Sequence, residues 1–163
     1  MSREQGNAQE LRTDNGRLTT MSNDPMLINE MLRKSQAIAV VGMSDKPWRA
    51  SHNIGRYLVT QGYHVFPVNP GLREVLGLKC YPDLDAAQEA AKRDYPGGVD
   101  LVDVFRASEN VPPIVEDVIR LGIPYLWLQE DVIHDKAIAR ARSAGVKCVQ
   151  DVCIFREHAQ RVG

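Results

Sequence analysis

The stretch Ala37-Ile38-Ala39-Val40-Val41-Gly42 decides the fold of this chain. Five apolar residues in a row, ended by a glycine, are typical of a short strand that is buried on both faces of a sheet. Similar apolar runs follow at residues 65–68, 99–105, 125–128 and 146–152. The sequence therefore predicts a set of short buried strands.

Helical patterns alternate with these strands. One of them carries Ile54, Tyr57 and Leu58 on a single face and ends at Gly62. The predicted helices cover residues 25–34, 52–61, 84–93, 112–121, 134–144 and the chain from about Ile154. This alternation indicates βαβ units with right-handed crossovers. We therefore expect an α/β fold, a single Rossmann-like, doubly wound, mainly parallel sheet with helices on both faces.

The length and the net charge of the chain argue against some classes of function. The chain has 163 residues, 20 basic and 21 acidic, with a formal net charge of -1. This length favours one domain, and the near-neutral charge argues against a nucleic-acid binder that relies on an overall positive field. No apolar run approaches the roughly 20 residues needed to cross a bilayer. Residues 1–22 are poor in apolar side chains, so we expect a disordered N-terminal arm followed by one domain over residues 23–163.

The cysteines are sparse and show no CxxC or paired metal spacing. Cys80, Cys148 and Cys153 are therefore expected to be thiols of a protein in the reducing cytoplasm. An extended segment places Cys148 and Cys153 too far apart for a disulfide. We expect Cys153 to be buried and inert, and the alternative is a reactive thiol next to Arg156. No metal site is predicted.

The loop after the first strand is the leading candidate for a ligand site, because open α/β sheets bind ligands beyond the carboxyl ends of their strands. Its glycine permits a tight turn against an anion, and the next helix directs its amino terminus to the same place. The candidate anion-binding residues are Gly42, Ser44, Lys46, Arg49, Ser51 and Asn53. The alternative is an exposed polar loop with a helix cap at Ser51 or Asn53.

The end of the second strand lacks the residues that are typical of an NAD site. The G-x-G-x-x-G fingerprint is not met, since Ser44 and Pro47 stand where glycines are needed. The strand ends in Val68-Asn69-Pro70 without a carboxylate for the ribose, and Arg73 follows. A cation there favours a ligand with a phosphate on its ribose, which fits both NADP and CoA. A solvated surface arginine is the alternative for Arg73.

Two further strand ends contribute candidate ligand-binding residues. After Val104, Phe105 is placed to form the wall of a pocket and Arg106 to meet a phosphate. The alternatives are an ordinary core position for Phe105 and a charge at a helix entry for Arg106. After the fourth strand, Gln129 is well placed to contact a ligand.

Several motifs occur together in a characteristic order. They are IAVVGMS at residues 38–44, YL at 57–58 with QGY at 61–63, VFPVNP at 65–70, LG at 76–77 with YP at 81–82, VDVFR at 102–106, WLQ at 127–129 and DVC at 151–153. Over residues 36–158 this set resembles the small stand-alone CoA-binding proteins. These are similar to the CoA-binding domain of succinyl-CoA synthetase alpha subunits and of NDP-forming acyl-CoA synthetases.

The resemblance implies a site for CoA or an acyl-CoA. By this analogy the first loop, from Gly42 to Asn53, takes the pyrophosphate. Val68, Asn69, Pro70 and Arg73 lie near the adenosine and its 3′-phosphate, and Val104, Phe105, Arg106 and Gln129 line the adenine or pantetheine path. The family often has a glycine two places after this glutamine. Here Asp131 stands there, preceded by Glu130, and two carboxylates would repel a phosphate-rich ligand.

No catalytic residues are predicted. In succinyl-CoA synthetase a second domain supplies a phosphohistidine, and the chain has no room for that domain. His52 is the only histidine near the predicted site, and a helix N-terminal position explains it. We therefore expect non-catalytic binding of CoA or acyl-CoA, without nucleic-acid or membrane partners. The alternatives are an NADP-dependent oxidoreductase-type protein, a CoA-sensing subunit of an acyl-CoA enzyme, and, for assembly, a homo-oligomer.

Overall fold

The computed structural model describes residues 13–14, 17–18 and 23–162 of the chain. Its helices are α1 (Pro25–Lys34), α2 (Ala50–Thr60), α3 (Leu84–Ala91), α4 (Val111–Leu121), α5 (Asp135–Ser143) and α6 (Ile154–Val162). Its strands are β1 (Thr13–Asp14), β2 (Arg17–Leu18), β3 (Ala37–Val41), β4 (His64–Val68), β5 (Glu74–Val75), β6 (Leu78–Lys79), β7 (Leu101–Val104), β8 (Tyr125–Leu128) and β9 (Lys147–Val149).

Five of these strands form one parallel sheet in the order β4-β3-β7-β8-β9. The chain first moves outward from β3 to β4 and then crosses back to β7 on the other side of β3. The strand order therefore reverses between β3 and β7, and such a switch point opens a crevice at the carboxyl ends of the two strands. The predicted Rossmann-like α/β fold is confirmed.

The sheet separates two apolar cores. Ala37, Ala39 and Val41 of β3 join the core beneath α3, α4 and α5. Ile38 and Val40 join the core beneath α1, α2 and α6. Alternate residues of a strand point to opposite faces, so β3 needs apolar residues at every position. This requirement explains the uninterrupted AIAVV run.

The predicted element bounds agree closely with the structure at α1, β3 and β8. The third and fifth predicted strands are shorter than expected, since residues 99, 100 and 105 lie outside β7 and residues 146 and 150–152 lie outside β9. Val99 and Val146 are buried all the same. The β5–β6 hairpin was not predicted. Its turn places Leu76 and Gly77 at φ values of 57° and 74°.

The alternative interpretation of the first loop, with a helix cap at Ser51 or Asn53, is wrong about the cap. Helix α2 begins at Ala50, and its N-cap residue is Arg49, which makes no side-chain capping bond. Ser51 therefore lies inside the first turn, where its hydroxyl is available to the preceding loop rather than to the helix end.

The predicted N-terminal arm falls mostly outside the described residues. Within it, β1 and β2 pair as short antiparallel strands. The division into a disordered arm and one domain stays a prediction. In the part of the chain that the structure describes, no helix has the length and apolarity to cross a membrane.

Candidate functional site

A cavity of about 480 Å³ lies at the switch point, beyond the carboxyl ends of β3, β7 and β8. The structure brings half of the predicted site residues to its wall, namely Gly42, Ser44, Arg49, Ser51, Phe105, Arg106 and Gln129. A larger cavity of about 700 Å³ lies elsewhere, between α1 and the start of β9. It is at the amino ends of the strands, and Glu30 at its wall is already bonded to Lys147 and Tyr125. We therefore take the switch-point cavity as the site.

Gly42 joins three strand ends at this point. Its N–H donates to the Val68 carbonyl over 2.9 Å, and the Phe105 N–H donates to the Val41 carbonyl over 2.8 Å. At Gly42, where φ is 88°, a Cβ atom would lie 2.4 Å from the Phe105 carbonyl oxygen and 2.9 Å from Arg106 Cδ. Only glycine fits this close approach of two backbones.

Hydrogen bonds across the loop hold the segment after Gly42. The Ser44 N–H donates to Ser51 Oγ over 2.9 Å, and the Lys46 N–H donates to Ser44 Oγ over 3.0 Å. The ring of His52 is bonded through Nδ1 to the Ser44 carbonyl, so Nδ1 carries the proton. Each serine oxygen serves as an acceptor within the loop, which leaves its proton for another partner. The predicted contact of these hydroxyls with a phosphate stays a prediction.

Two arginines give the cavity its positive charge. Arg49 and Arg106 both line it, both are exposed, and neither makes an ion pair or a side-chain hydrogen bond with a described residue. Four of the other described arginines are paired with acidic side chains, namely Arg120, Arg140, Arg156 and Arg161. Unpaired guanidinium groups beside a helix amino terminus form a site for an anion.

The remaining predicted site residues do not reach the wall of the cavity. Val68 and Val104 are buried in their strands, and Lys46, Pro70 and Arg73 are exposed outside it. Two amides have structural partners instead. Asn53 Nδ2 donates to the Pro47 carbonyl over 2.9 Å, and Asn69 Nδ2 donates to the Met43 carbonyl over 3.0 Å. Both amides therefore fix the first loop.

Comparison with known proteins identifies the family of this chain. The model of a family described as "CoA binding domain" matches residues 36–159. The chain belongs to the CoA-binding domain family. The resemblance found in the sequence, to small stand-alone proteins of this kind and to the CoA-binding domain of NDP-forming synthetases, is confirmed.

Three relatives illustrate the similarity of this chain to known proteins. The uncharacterized protein YneT of Bacillus subtilis (strain 168) is 35% identical over 132 residues, which cover 81% of this chain and 92% of YneT. A solved structure of a hypothetical protein from Pyrococcus horikoshii OT3 has a TM-score of 0.75 at 33% identity, covering 96% of this chain and 100% of that one. Acetate–CoA ligase (ADP-forming) I of Archaeoglobus fulgidus is 27% identical over 135 residues, which cover 77% of this chain and 18% of the ligase.

Sequence reasoning missed part of the cavity wall of this CoA-binding domain. The additional lining residues are Ala50, Ile54, Glu130, Asp131, Val132 and Cys153. Most of them are apolar or small, and of these only Cys153 belongs to one of the motifs, DVC at residues 151–153, so the fold was needed to place them at the cavity. Glu130 and Asp131 were noted only as a source of repulsion.

The two acidic residues differ in their surroundings. Both oxygens of Glu130 accept from Arg156 at 3.0 Å, and this bidentate contact lowers the pKa of the Glu130 carboxyl. Its charge is therefore balanced. Asp131 is exposed and has the left-handed φ of 72°, and its N–H donates to Asp151 Oδ1. The repulsion expected from the sequence is thus confined to Asp131.

Gln129 is held deep in the wall of the cavity. Only 3% of its surface is exposed, and its Oε1 accepts from the Ile154 N–H, the first residue of α6, over 3.1 Å. Its backbone N–H donates to the Val104 carbonyl. These bonds join β8, β7 and α6 at one corner of the site.

Asp103 is a buried carboxyl inside β7. It is fully buried, and neither of its oxygens has a hydrogen-bond partner among the described residues. This burial raises the pKa of the Asp103 carboxyl well above its usual range. The neutral acid is the form that an apolar core tolerates.

Replacing Asp103 by asparagine is expected to flatten the dependence of stability on pH. The folded state favours the protonated carboxyl, so its contribution is complete below the unfolded pKa of about 3.9 and is lost as the pH rises towards the raised folded value. Within that window the wild type should lose up to about 1.4 kcal/mol per pH unit relative to Asp103→Asn. Urea denaturation from about pH 4 to about pH 8 measures both slopes, and parallel curves would disprove the expectation.

Proposed function

We propose that the switch-point cavity binds CoA or an acyl-CoA without catalysing a reaction. The observation that carries the proposal is the pair of unpartnered guanidinium groups, Arg49 and Arg106, in one cavity with the Gly42 turn and the start of α2. Membership of the CoA-binding domain family supports CoA as the anion. A relative named as an acetate–CoA ligase points in the same direction.

In this proposal each part of the ligand has its own residues. Gly42, Ser44, Lys46, Arg49, Ser51 and Asn53 serve the pyrophosphate. The adenosine and its 3′-phosphate lie towards Val68, Asn69, Pro70 and Arg73. Phe105, Arg106 and Gln129 form the path of the adenine or of pantetheine, with the guanidinium of Arg106 on a phosphate, and Val104 supports them from inside β7. The exposed guanidinium of Arg73, just beyond β4, is the reader of the 3′-phosphate.

The cellular setting belongs to the same proposal. Cys80, Cys148 and Cys153 are all buried and unbridged, which fits the reducing cytoplasm. A stand-alone CoA binder of this kind would hold or report CoA, either alone, as a homo-oligomer or on an acyl-CoA enzyme. The described residues hold no group of three or more metal-ligating side chains placed around a metal ion.

Thermal unfolding with different ligands tests the proposal. A ligand present at 100 times its dissociation constant adds about 2.7 kcal/mol to the stability of the folded state. CoA and acetyl-CoA are therefore expected to raise the melting temperature, and NADPH is expected to leave it unchanged. Protection by NADPH without protection by CoA would overturn the proposal in favour of an oxidoreductase.

Asp131 gives a prediction about the strength of binding. Asp131→Gly removes the carboxylate and suits the φ of 72°, so we expect a gain of up to about 1 kcal/mol in stability and roughly fivefold tighter binding of CoA. Asp131→Asn is the matched control, because it removes the charge and keeps a side chain in the left-handed region. Calorimetric titration of both variants measures the effect. Weaker binding by Asp131→Gly than by the wild type would contradict this account.

A further inference from the structure

Cys153 is the one cysteine at the wall of the switch-point cavity, and all cysteines of the chain are described. It immediately precedes α6, and 9% of its surface is exposed. The other two thiols lie away from this cavity. Burial raises the pKa of the Cys148 thiol to about 11 and also raises the pKa of the Cys80 thiol. Both are therefore poor nucleophiles near neutral pH.

Gln129 supplies a second, independent sign of a ligand beside this thiol. Its Oε1 is bonded to the N–H of Ile154, the residue after Cys153. Its amide nitrogen has no partner among the described residues, although 97% of the residue is buried and it lines the cavity. This amide nitrogen is therefore free to donate to a ligand in the cavity. A carbonyl oxygen of a bound ligand, such as an amide of the pantetheine arm, would satisfy it.

We propose that Cys153 captures the thiol end of CoA as a mixed disulfide, by exchange with the disulfide form of CoA. The inference rests on the proposed function, since it requires CoA to occupy this cavity. Arg49, Arg106, Gln129 and Cys153 line the same cavity, so in this proposal one cavity holds the phosphates, the arm and the sulfur of CoA. The site would then respond to the oxidation state of CoA.

The exchange is balanced without a further oxidant. The Cys153 thiol gives its proton to solvent, and its sulfur attacks one sulfur of the CoA disulfide. The old S–S bond breaks as the new one forms, and the departing CoA thiolate takes up a proton. Cys153 is oxidised, and one half of the CoA disulfide is reduced. A reductant reverses the step and releases CoA.

Intact mass spectrometry of the full chain after incubation with CoA disulfide tests the proposal. The wild type is expected to gain a single CoA adduct that a reductant removes, and peptide mapping is expected to place it at Cys153. Cys153→Ser should gain none. Cys80→Ser is the matched control, because a serine hydroxyl can replace the thiol that donates to the Asn69 carbonyl, and its labelling should equal that of the wild type.

The role of the cavity is tested by the rate of labelling. Removing both guanidinium groups in Arg49→Ala/Arg106→Ala should slow labelling by CoA disulfide about tenfold or more, because the site then no longer attracts the anionic reagent. Labelling by 2-hydroxyethyl disulfide, which is uncharged, should change little. Equal rates with CoA disulfide in both proteins, or an adduct on another cysteine, would overturn the proposal.

Binding of reduced CoA separates the two proposals. The wild type in the presence of a reductant reports only reversible binding. Binding of CoA without an adduct at Cys153 would remove the capture step and leave the proposed function standing. An absence of CoA binding under these conditions would remove the proposed function itself.

Discussion

Gly42→Ala is expected to lose on the order of 3–5 kcal/mol of unfolding free energy. The new Cβ would lie 2.4 Å from the Phe105 carbonyl oxygen, in a residue whose φ is 88°. The ends of β3 and β7 must then separate, and this opens the switch point. Urea denaturation of the variant and of the wild type measures the loss.

A second glycine, Gly62, distinguishes the cost of the steric clash from the cost of the left-handed backbone conformation. Gly62 has a φ of 96°, and an added Cβ would meet no atom within 4 Å. Gly62→Ala should therefore lose only the cost of a left-handed alanine, about 1–2 kcal/mol. Equal losses in the two variants would show that the close approach of Gly42 to Phe105 does not matter for stability.

Arg49→Ala/Arg106→Ala is expected to lower the affinity for CoA by about a hundredfold or more. Each hydrogen bond between a charged group and a phosphate contributes about 1.5–3 kcal/mol, and both guanidinium groups face one cavity. Neither has a partner among the described residues, so the melting temperature of the unliganded protein should hardly change. Calorimetric titration gives the affinity, and thermal unfolding gives the stability.

Arg140 provides the matched control for the arginine pair. It is half-exposed, it is paired with Glu116 over 3.0 Å, and it lies on α5 outside the cavity. Arg140→Ala removes one positive charge and one surface ion pair, which contributes little to stability. Its affinity for CoA should equal that of the wild type. A comparable loss of affinity in Arg140→Ala would mean that net charge, rather than the site, binds the ligand.

The sequence was sufficient for the sheet because burial on both faces demands apolar residues at every position of β3. It was also sufficient for the convergence of Arg49 and Arg106, since the carboxyl ends of neighbouring parallel strands meet at the switch point. It was insufficient for the β5–β6 hairpin, whose four paired residues are too few for a periodic pattern. Strands of two residues each leave no alternation of apolar and polar residues that could be recognised in the sequence.

The structural roles of the loop side chains could not be predicted from the sequence, for a different reason. Ser51 and Asn69 are typical ligand-binding residues, but each bonds to a backbone group that is 7 or 26 positions away. Gln129 and Ile154 meet across 25 positions in the same way. Such contacts depend on how the helices pack against the sheet. For the same reason the DVC motif at residues 151–153 did not reveal that Cys153 lines the cavity.

Calorimetric titration of CoA into the full chain, with a reductant present, tests the central claim most directly. We expect saturable binding with one CoA per chain. We also expect that Arg49→Ala/Arg106→Ala shows no saturation at the same concentrations, whereas Arg140→Ala is indistinguishable from the wild type. An absence of heat with the wild type at several temperatures, or an unchanged isotherm for the double variant, would contradict the claim that the switch-point cavity binds CoA.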